Sequence, residues 1–339
     1  MGIAARMPRL PLPRGPLSAA LLDALRRPPH TLRLPAIVAE DPLVDDDLHL
    51  ALYCCYELHY RSFDGVDEHW EWEPSLLAAR RALEAPFEGA LHAATGPPEP
   101  SHEPVTVALR ALAGAEGPSV ARHLEREGTV EQVLEFLVHR SIYNLKEADP
   151  HSWAIPRLSG GPKAALVEIQ ADEYGGGRPE RMHARLFADT MEALGLDSAY
   201  GAYLDYVPGV TLATVNLMSL CGLHRRLRGA LCGHLALFEM TSCVPNRRYS
   251  VALRRFGFTS PRATGFFDEH VEADAVHECI AAVDLAGGLA RAEPALAGDI
   301  LWGARALTAL DQRWATSMLD AWQAGRSSLR APLRVALPA

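Results

Sequence analysis

The sequence is short of lysine, with only Lys146 and Lys163 against 31 arginines. We read that skew as the mark of GC-rich coding sequence, so surface arginine alone points to no partner. No apolar run approaches the ~20 residues of a spanning helix, which argues against a membrane-embedded chain. A basic excess is also missing. The 33 basic and 42 acidic residues give a formal charge of −9, the wrong sign for the basic face that generic nucleic-acid binding uses. The six cysteines, Cys54, Cys55, Cys221, Cys232, Cys243 and Cys279, contain no C-x-x-C pair. Free thiols in a reducing cytoplasm are expected in place of a disulfide framework. Residues 1–35 lack an uninterrupted apolar stretch, because Pro8, Pro11, Pro13 and Pro16 punctuate them. They do not read as a secretory signal, and a cytoplasmic location is expected.

Strand signals are scarce as well. Alternating runs of Val, Ile and Thr are few and aromatics are 7%, whereas Ala- and Leu-rich stretches with helical spacing are everywhere. The 339 residues suggest two domains. Helices are expected over 45–63, 74–93, 105–113, 117–127, 128–146, 163–174, 180–194, 197–205, 208–226, 229–241, 265–286 and 296–324. A loop rich in Pro, Gly and Glu spans 95–104. Pro179 fits a first helical position and Gly195 a helix end, while Pro245 and Asn246 should stop the helix begun at 229. The expected class is all-α, a bundle, in which sites form from side chains on facing helices.

Fourteen histidines stand out in an acidic chain. Three carry the argument. In GFFDEHVEADAVHECIAAVDLA (265–286), His270, Asp274 and His277 share a stripe within about 60° at 100° per residue. Phe266, Phe267, Ala273 and Ala281 flank it, and Asp268 and Glu272 lie opposite. The stripe should therefore face inward. A buried carboxylate between two imidazoles is costly unless it is paired or metal-bound, and the donor types suit iron, manganese or zinc. A metal-free His/Asp hydrogen-bond network is the competing reading of this helix. Further inward polar groups are Glu239 in HLALFEMTS, Glu168 and Glu173 in LVEIQADEYGGG, Glu147 in YNLKEADPHSW, and His183 in RPERMHARLF. Only one Glu-x-x-His pair exists, Glu180 with His183, which disfavours a ferritin-like site.

The segments LVEIQADEYGGGRPERMHARLF, LFEMTSCVPNRRY and FFDEHVEADAVHE resemble the haem-oxygenase-like diiron oxidases and oxygenases, over roughly residues 130–325. That signature is a Glu with a His ten residues on, then a Glu, then His-x-x-x-Asp-x-x-His. Carried over, it implies a seven-helix haem-oxygenase-like bundle with two iron ions in place of haem. The implied ligands are Glu173, His183, Glu239, His270, Asp274 and His277, with Glu147 added on spacing alone. The resemblance is nearest in layout to the N-oxygenase members, whose N-terminal helical extension supports dimerisation. The organisation it implies is a partly ordered arm (1–35), a helical extension (36–130), a diiron domain (131–325) and a tail (326–339), assembled as a homodimer.

Ten residues of regular helix would leave Glu173 and His183 about 80° apart, and Gly175–Gly177 and Pro179 intervene. An unwound segment is needed to join them, as the family implies. Glu180 is a rival ligand. Glu168 and Tyr174 are read as supporting groups, and Asp172 and Trp153 are noted for their closeness in sequence. Arg247 or Arg248 is a candidate for a substrate carboxylate. The expected function is O2-dependent oxidation of a small organic substrate by two Fe(II)/Fe(III) ions, with an external electron donor where one is needed. N-oxygenation of an amine or guanidine leads. Desaturation or C–C cleavage of an amino or fatty acid follows. The alternatives are a cofactorless or thiaminase-like enzyme of the same fold and a non-enzymatic iron- or haem-binding protein.

Overall fold

A computed structural model describes residues 7–333, the side chains of 272–276 excepted. Among the described residues there is no strand, as the shortage of β-type runs predicts. The helices in chain order are α1 (Pro16–Leu25), α2 (Asp46–Glu57), α3 (Pro74–Thr95), α4 (Val105–Ala113), α5 (Val120–Arg126), α6 (Val130–Asn144) and α7 (Asp149–Ser152). They continue with α8 (Gly160–Glu173), α9 (His183–Ala193), α10 (Gly209–Leu223), α11 (Arg228–Arg255), α12 (Pro261–Cys279), α13 (Gly287–Ala292) and α14 (Ala297–Gln323). A π-helical stretch, Ile280–Ala286, joins α12 to α13.

Local sequence accounts for most of the boundaries. The Asp45 carboxylate accepts from the Leu48 backbone N–H at 2.8 Å, with Asp46 and Asp47 behind it in the first turn of α2. Thr129 and Gln132 form a reciprocal capping box at the start of α6. Gly195, at φ 79°, follows α9 as predicted.

Three expectations are corrected. No helix forms over 197–205, where a series of turns runs past Gly201 at φ 76° and the Asp197 backbone N–H donates to the Tyr203 hydroxyl. Pro245 does not end its helix. It lies inside α11, which continues to Arg255 because Asn246, Tyr249, Ser250, Ala252 and Leu253 beyond it are buried in the bundle. Tertiary burial there outweighs the lost backbone hydrogen bond. The helix expected over 265–286 starts earlier, at Pro261, and changes to π geometry after Cys279.

The centre of the bundle is α11, packed along α14 on one side and α12 on the other. A side chain at Gly233 would collide with the Ile300 carbonyl, and one at Gly303 with the Ala230 carbonyl. These two glycines let the α11 and α14 backbones meet. On the periphery α10 packs on α2, α12 on α9, and α8 on the π-helical stretch. This arrangement brings the ends of α6 and α8, the start of α9, and the middles of α11 and α12 to one buried place.

Candidate metal centre

Glu173 is the last residue of α8 and His183 the first of α9. The chain between them unwinds through two short 3-10 turns, Gly175–Gly177 and Pro179–Arg181. Gly175 sits at φ 67°, and a side chain there would press on the backbone of Arg181 and Met182. Glycine thus permits the tight return that puts His183 Nδ1 2.8 Å from Glu173 Oε2. Both atoms are buried, and neither has a partner with hydrogen-bond geometry.

Two groups of donors share Glu173. The first is Glu147, Glu173, His183 and His270, and the second is Glu173, Glu239 and His277; in each, all donor atoms lie within 4.8 Å of one another. The two carboxylate oxygens divide between the groups. Oε2 faces His183, while Oε1 lies 3.9 Å from His277 Nδ1. His270 Nε2 is 3.5 Å from Glu147 Oε1, and His277 Nδ1 is 3.6 Å from Glu239 Oε2. All six side chains are buried. Asp274 lies outside the described residues.

The imidazoles are oriented from behind. His270 Nδ1 is 2.7 Å from the Phe266 carbonyl, and His277 Nε2 is 3.0 Å from Asp172 Oδ2. A proton on each of those nitrogens leaves His270 Nε2 and His277 Nδ1 as lone-pair donors towards the carboxylates, the usual arrangement behind metal-bound imidazole. Burial raises the Glu173 carboxyl, but His183, His270 and His277 outweigh it and hold it at about 2. Burial likewise disfavours the His277 imidazolium, yet Glu239, Glu173 and Asp172 push it up to about 9. Glu147 moves the other way, raised chiefly by burial. The donors thus attract positive charge as a set.

The set fits metal ions. Donor atoms about 2.1 Å from one ion and at right angles lie about 3 Å apart, close to the His183–Glu173 separation. His183 Nδ1, His277 Nδ1 and Glu173 Oε2 are buried polar atoms without hydrogen-bond partners, an expensive condition that a shared cation relieves. Mixed carboxylate and imidazole donors suit iron, manganese or zinc.

Other sequence candidates stand elsewhere. Glu180 is exposed on the turn Pro179–Arg181 and Glu168 is exposed on α8, and neither is among the clustered donors. The Tyr174 hydroxyl donates to Asp149 Oδ1 at 2.8 Å and is 3.0 Å from Ser152 Oγ, a contact beside the site. Arg247 is exposed, and the Arg248 guanidinium faces Glu125 at 3.5 Å. Asp172 is the residue whose role sequence reasoning missed. It was visible only as an acid beside Glu173, with no periodicity to point it at His277.

Two spaces meet the donors. A small cavity is lined by Tyr143, His151, Gln170, Glu173 and Glu239. A larger cavity of about 660 Å³ reaches Glu147 and His270 and is walled by Phe136, Phe187, Phe266 and Trp314 among others. Its volume lies in the range of small-molecule sites.

A family model described as iron-containing redox enzyme matches residues 134–312, more than half of the chain. A nitrosourea synthase from Streptomyces achromogenes subsp. streptozoticus is 29% identical over 133 residues. That match covers 39% of this chain and 28% of the relative, so the chain aligns with under a third of that protein.

Proposed function

Since the chain belongs to the iron-containing redox enzyme family, whose all-α haem-oxygenase-like fold it has, we propose that it is an O2-dependent diiron oxygenase of a small nitrogenous substrate. The observation that carries this reading is Glu173, one buried carboxylate facing a different donor group with each oxygen. One ion would be held by Glu147, Glu173, His183 and His270, and the other by Glu173, Glu239 and His277. Asp274, read as a ligand from the sequence, belongs to the same proposal. Ferrous iron in such a donor set supplies electrons for O2 reduction.

The protein's own groups prepare that chemistry. Asp172 and the Phe266 carbonyl hold the two imidazoles in the ligating tautomer. Burial, with Glu147, Glu173 and Glu239 close by, raises the Tyr143 hydroxyl well above its usual value, so it stays protonated and able to donate. The larger cavity, with aromatic side chains in its wall, would seat an organic molecule beside Glu147 and His270. N-oxygenation of an amine or guanidine is the favoured reaction. Similarity to a nitrosourea synthase supports it, since a nitrosourea carries an N-nitroso group and making one requires oxidised nitrogen. Dimerisation through 36–130 and an external electron donor are parts of the same proposal.

Anaerobic loading with Fe(II), metal analysis and O2-uptake measurement with a panel of amines and guanidines test it. Two irons per chain and amine- or guanidine-dependent O2 uptake are expected. A folded chain that binds no iron would overturn the reading.

A further inference from the structure

Two polar groups that belong to neither donor group, His151 and Gln170, line the small cavity together with Glu147, Glu173, Glu239 and His270. Both are buried, at 1% and 3% exposure. His151, in α7, has its Nε2 3.1 Å from Nδ1 of the buried His234 on α11. Its other nitrogen, Nδ1, has no hydrogen-bond partner among the described residues. Gln170, on α8 one turn before Glu173, is incomplete in the same way. Its amide nitrogen donates to the Ala148 carbonyl and to Ser152 Oγ, both at 2.7 Å. A carbonyl only accepts, so that contact fixes which end of the amide is nitrogen. Oε1 is left buried without a partner among the described residues.

Burial holds His151 at about 4 and His234 well below the ordinary value. Near pH 7 both imidazoles are therefore neutral, and each carries one proton. Two arrangements satisfy the His151–His234 contact. His151 can donate from Nε2 and turn a lone pair to the cavity, or His234 can donate from Nδ1 while His151 keeps its proton on Nδ1. The carboxylates decide between them. An N–H dipole in a space bordered by Glu147, Glu173 and Glu239 is favoured over a lone pair facing the same charges, and Glu173 favours a proton on His151. The cavity measures about 10 Å³, room for one water-sized molecule, against about 660 Å³ in the larger one. Its size excludes an organic substrate.

We propose that His151 donates a hydrogen bond, through Nδ1–H, to a one- or two-atom oxygen ligand held beside the metal donors, with His234 as the residue that positions it. Gln170 Oε1 accepts from the same ligand when that ligand carries a proton, as water does. The organic substrate and the oxygen ligand then reach the donors from different cavities. This rests on the reading of the donor groups as an oxygenase centre, and it assigns the oxygen side of that centre.

The first measurement needs no metal. Nitrogen-15 NMR of the metal-free protein at pH 7, with the histidines assigned through the backbone, should place the proton of both His151 and His234 on Nδ1. His234→Asn, whose side-chain N–H replaces the Nδ1–H, should keep His151 in that tautomer, and His234→Leu should not. The second measurement uses nitric oxide as a diatomic probe on the ferrous protein without O2. Its N–O stretch should shift on transfer to D2O in the wild type and in Gln170→Leu, since nitric oxide has no proton to give Gln170. In His151→Leu the shift should vanish and nitric oxide should bind about tenfold more weakly, as expected for one lost hydrogen bond, with iron content unchanged. A His151 proton on Nε2, with Nδ1 bare, would overturn the proposal whether or not the variants fold. So would a D2O shift that survives in His151→Leu. If His151 has the assigned tautomer in a folded chain that binds no iron, the donor stands and the oxygenase reading falls. If iron binding and O2 uptake are normal but Nδ1 is bare, the reverse holds.

Discussion

Lys146 and Glu147 are neighbours in the chain and both are buried, yet they enter opposite kinds of surroundings. Lys146 Nζ is 2.9 Å from Glu57 Oε2, whose carboxylate also accepts from the Tyr200 hydroxyl at 2.7 and 2.8 Å. The ammonium sits over the Tyr53 and Tyr60 rings at 4.8 and 4.3 Å. Every charge in that cluster has its counterpart within the protein. One residue on, Glu147 joins a set of carboxylates and imidazoles that cannot satisfy itself, with Glu173 Oε2, His183 Nδ1 and His277 Nδ1 left without hydrogen bonds. Burial alone therefore does not mark a site. A closed polar cluster holds helices together, whereas an incomplete one, rich in lone pairs, is built around something the chain does not supply.

The largest expected effect separates the two clusters. Glu57→Ala leaves Lys146 buried without its counter-ion and should lower stability by about 3–5 kcal/mol. Iron bound per folded molecule should not change. Urea denaturation with metal analysis of the folded fraction checks both halves, and loss of iron in step with stability would erase the distinction. Next comes Asp172→Ala. Asp172 is exposed, and its contact of interest is with His277, so stability should hold while iron affinity drops about 10- to 100-fold. An unchanged affinity would remove Asp172 from the support of the centre.

A smaller effect concerns histidines that are already closed off. His49 is near 4 and His139 near 3, both held down by burial, and each has an internal partner, the Pro42 carbonyl and the Thr211 hydroxyl. In the unfolded chain they take up protons below the ordinary value of 6.5, while the folded chain keeps them neutral. The unfolded state then binds more protons, so stability rises with pH in that window and is lost progressively as pH falls from 6.5 towards 4. The urea midpoint of the metal-free protein should be lower at pH 5 than at pH 7, and His139→Gln should flatten the slope. An unchanged slope in that variant would mean that His139 does not contribute.

The same contrast explains what the sequence could reveal. The inward stripe of His270 and His277 was legible because α12 is regular there and periodicity reports the face. Most helix boundaries were legible from caps such as Asp45 and Thr129. The meeting of Glu173 with His183 was expected only through family resemblance, since an unwound turn obeys no period. Pro245 misled because local propensity says nothing of the burial that carries α11 past it. Asp172 stands out in the sequence only by its closeness to Glu173, since no periodicity points an exposed acid at the imidazole it faces.

The central claim is that Glu173 serves both donor groups. Fe(II) titration under anaerobic conditions, with stoichiometry read by metal analysis, tests it in the wild type, His277→Ala and Glu173→Ala. The account predicts two irons per chain in the wild type, about one in His277→Ala because the group of Glu147, His183 and His270 survives, and fewer than one in Glu173→Ala because both groups lose a donor at once. Two irons retained in Glu173→Ala would contradict it.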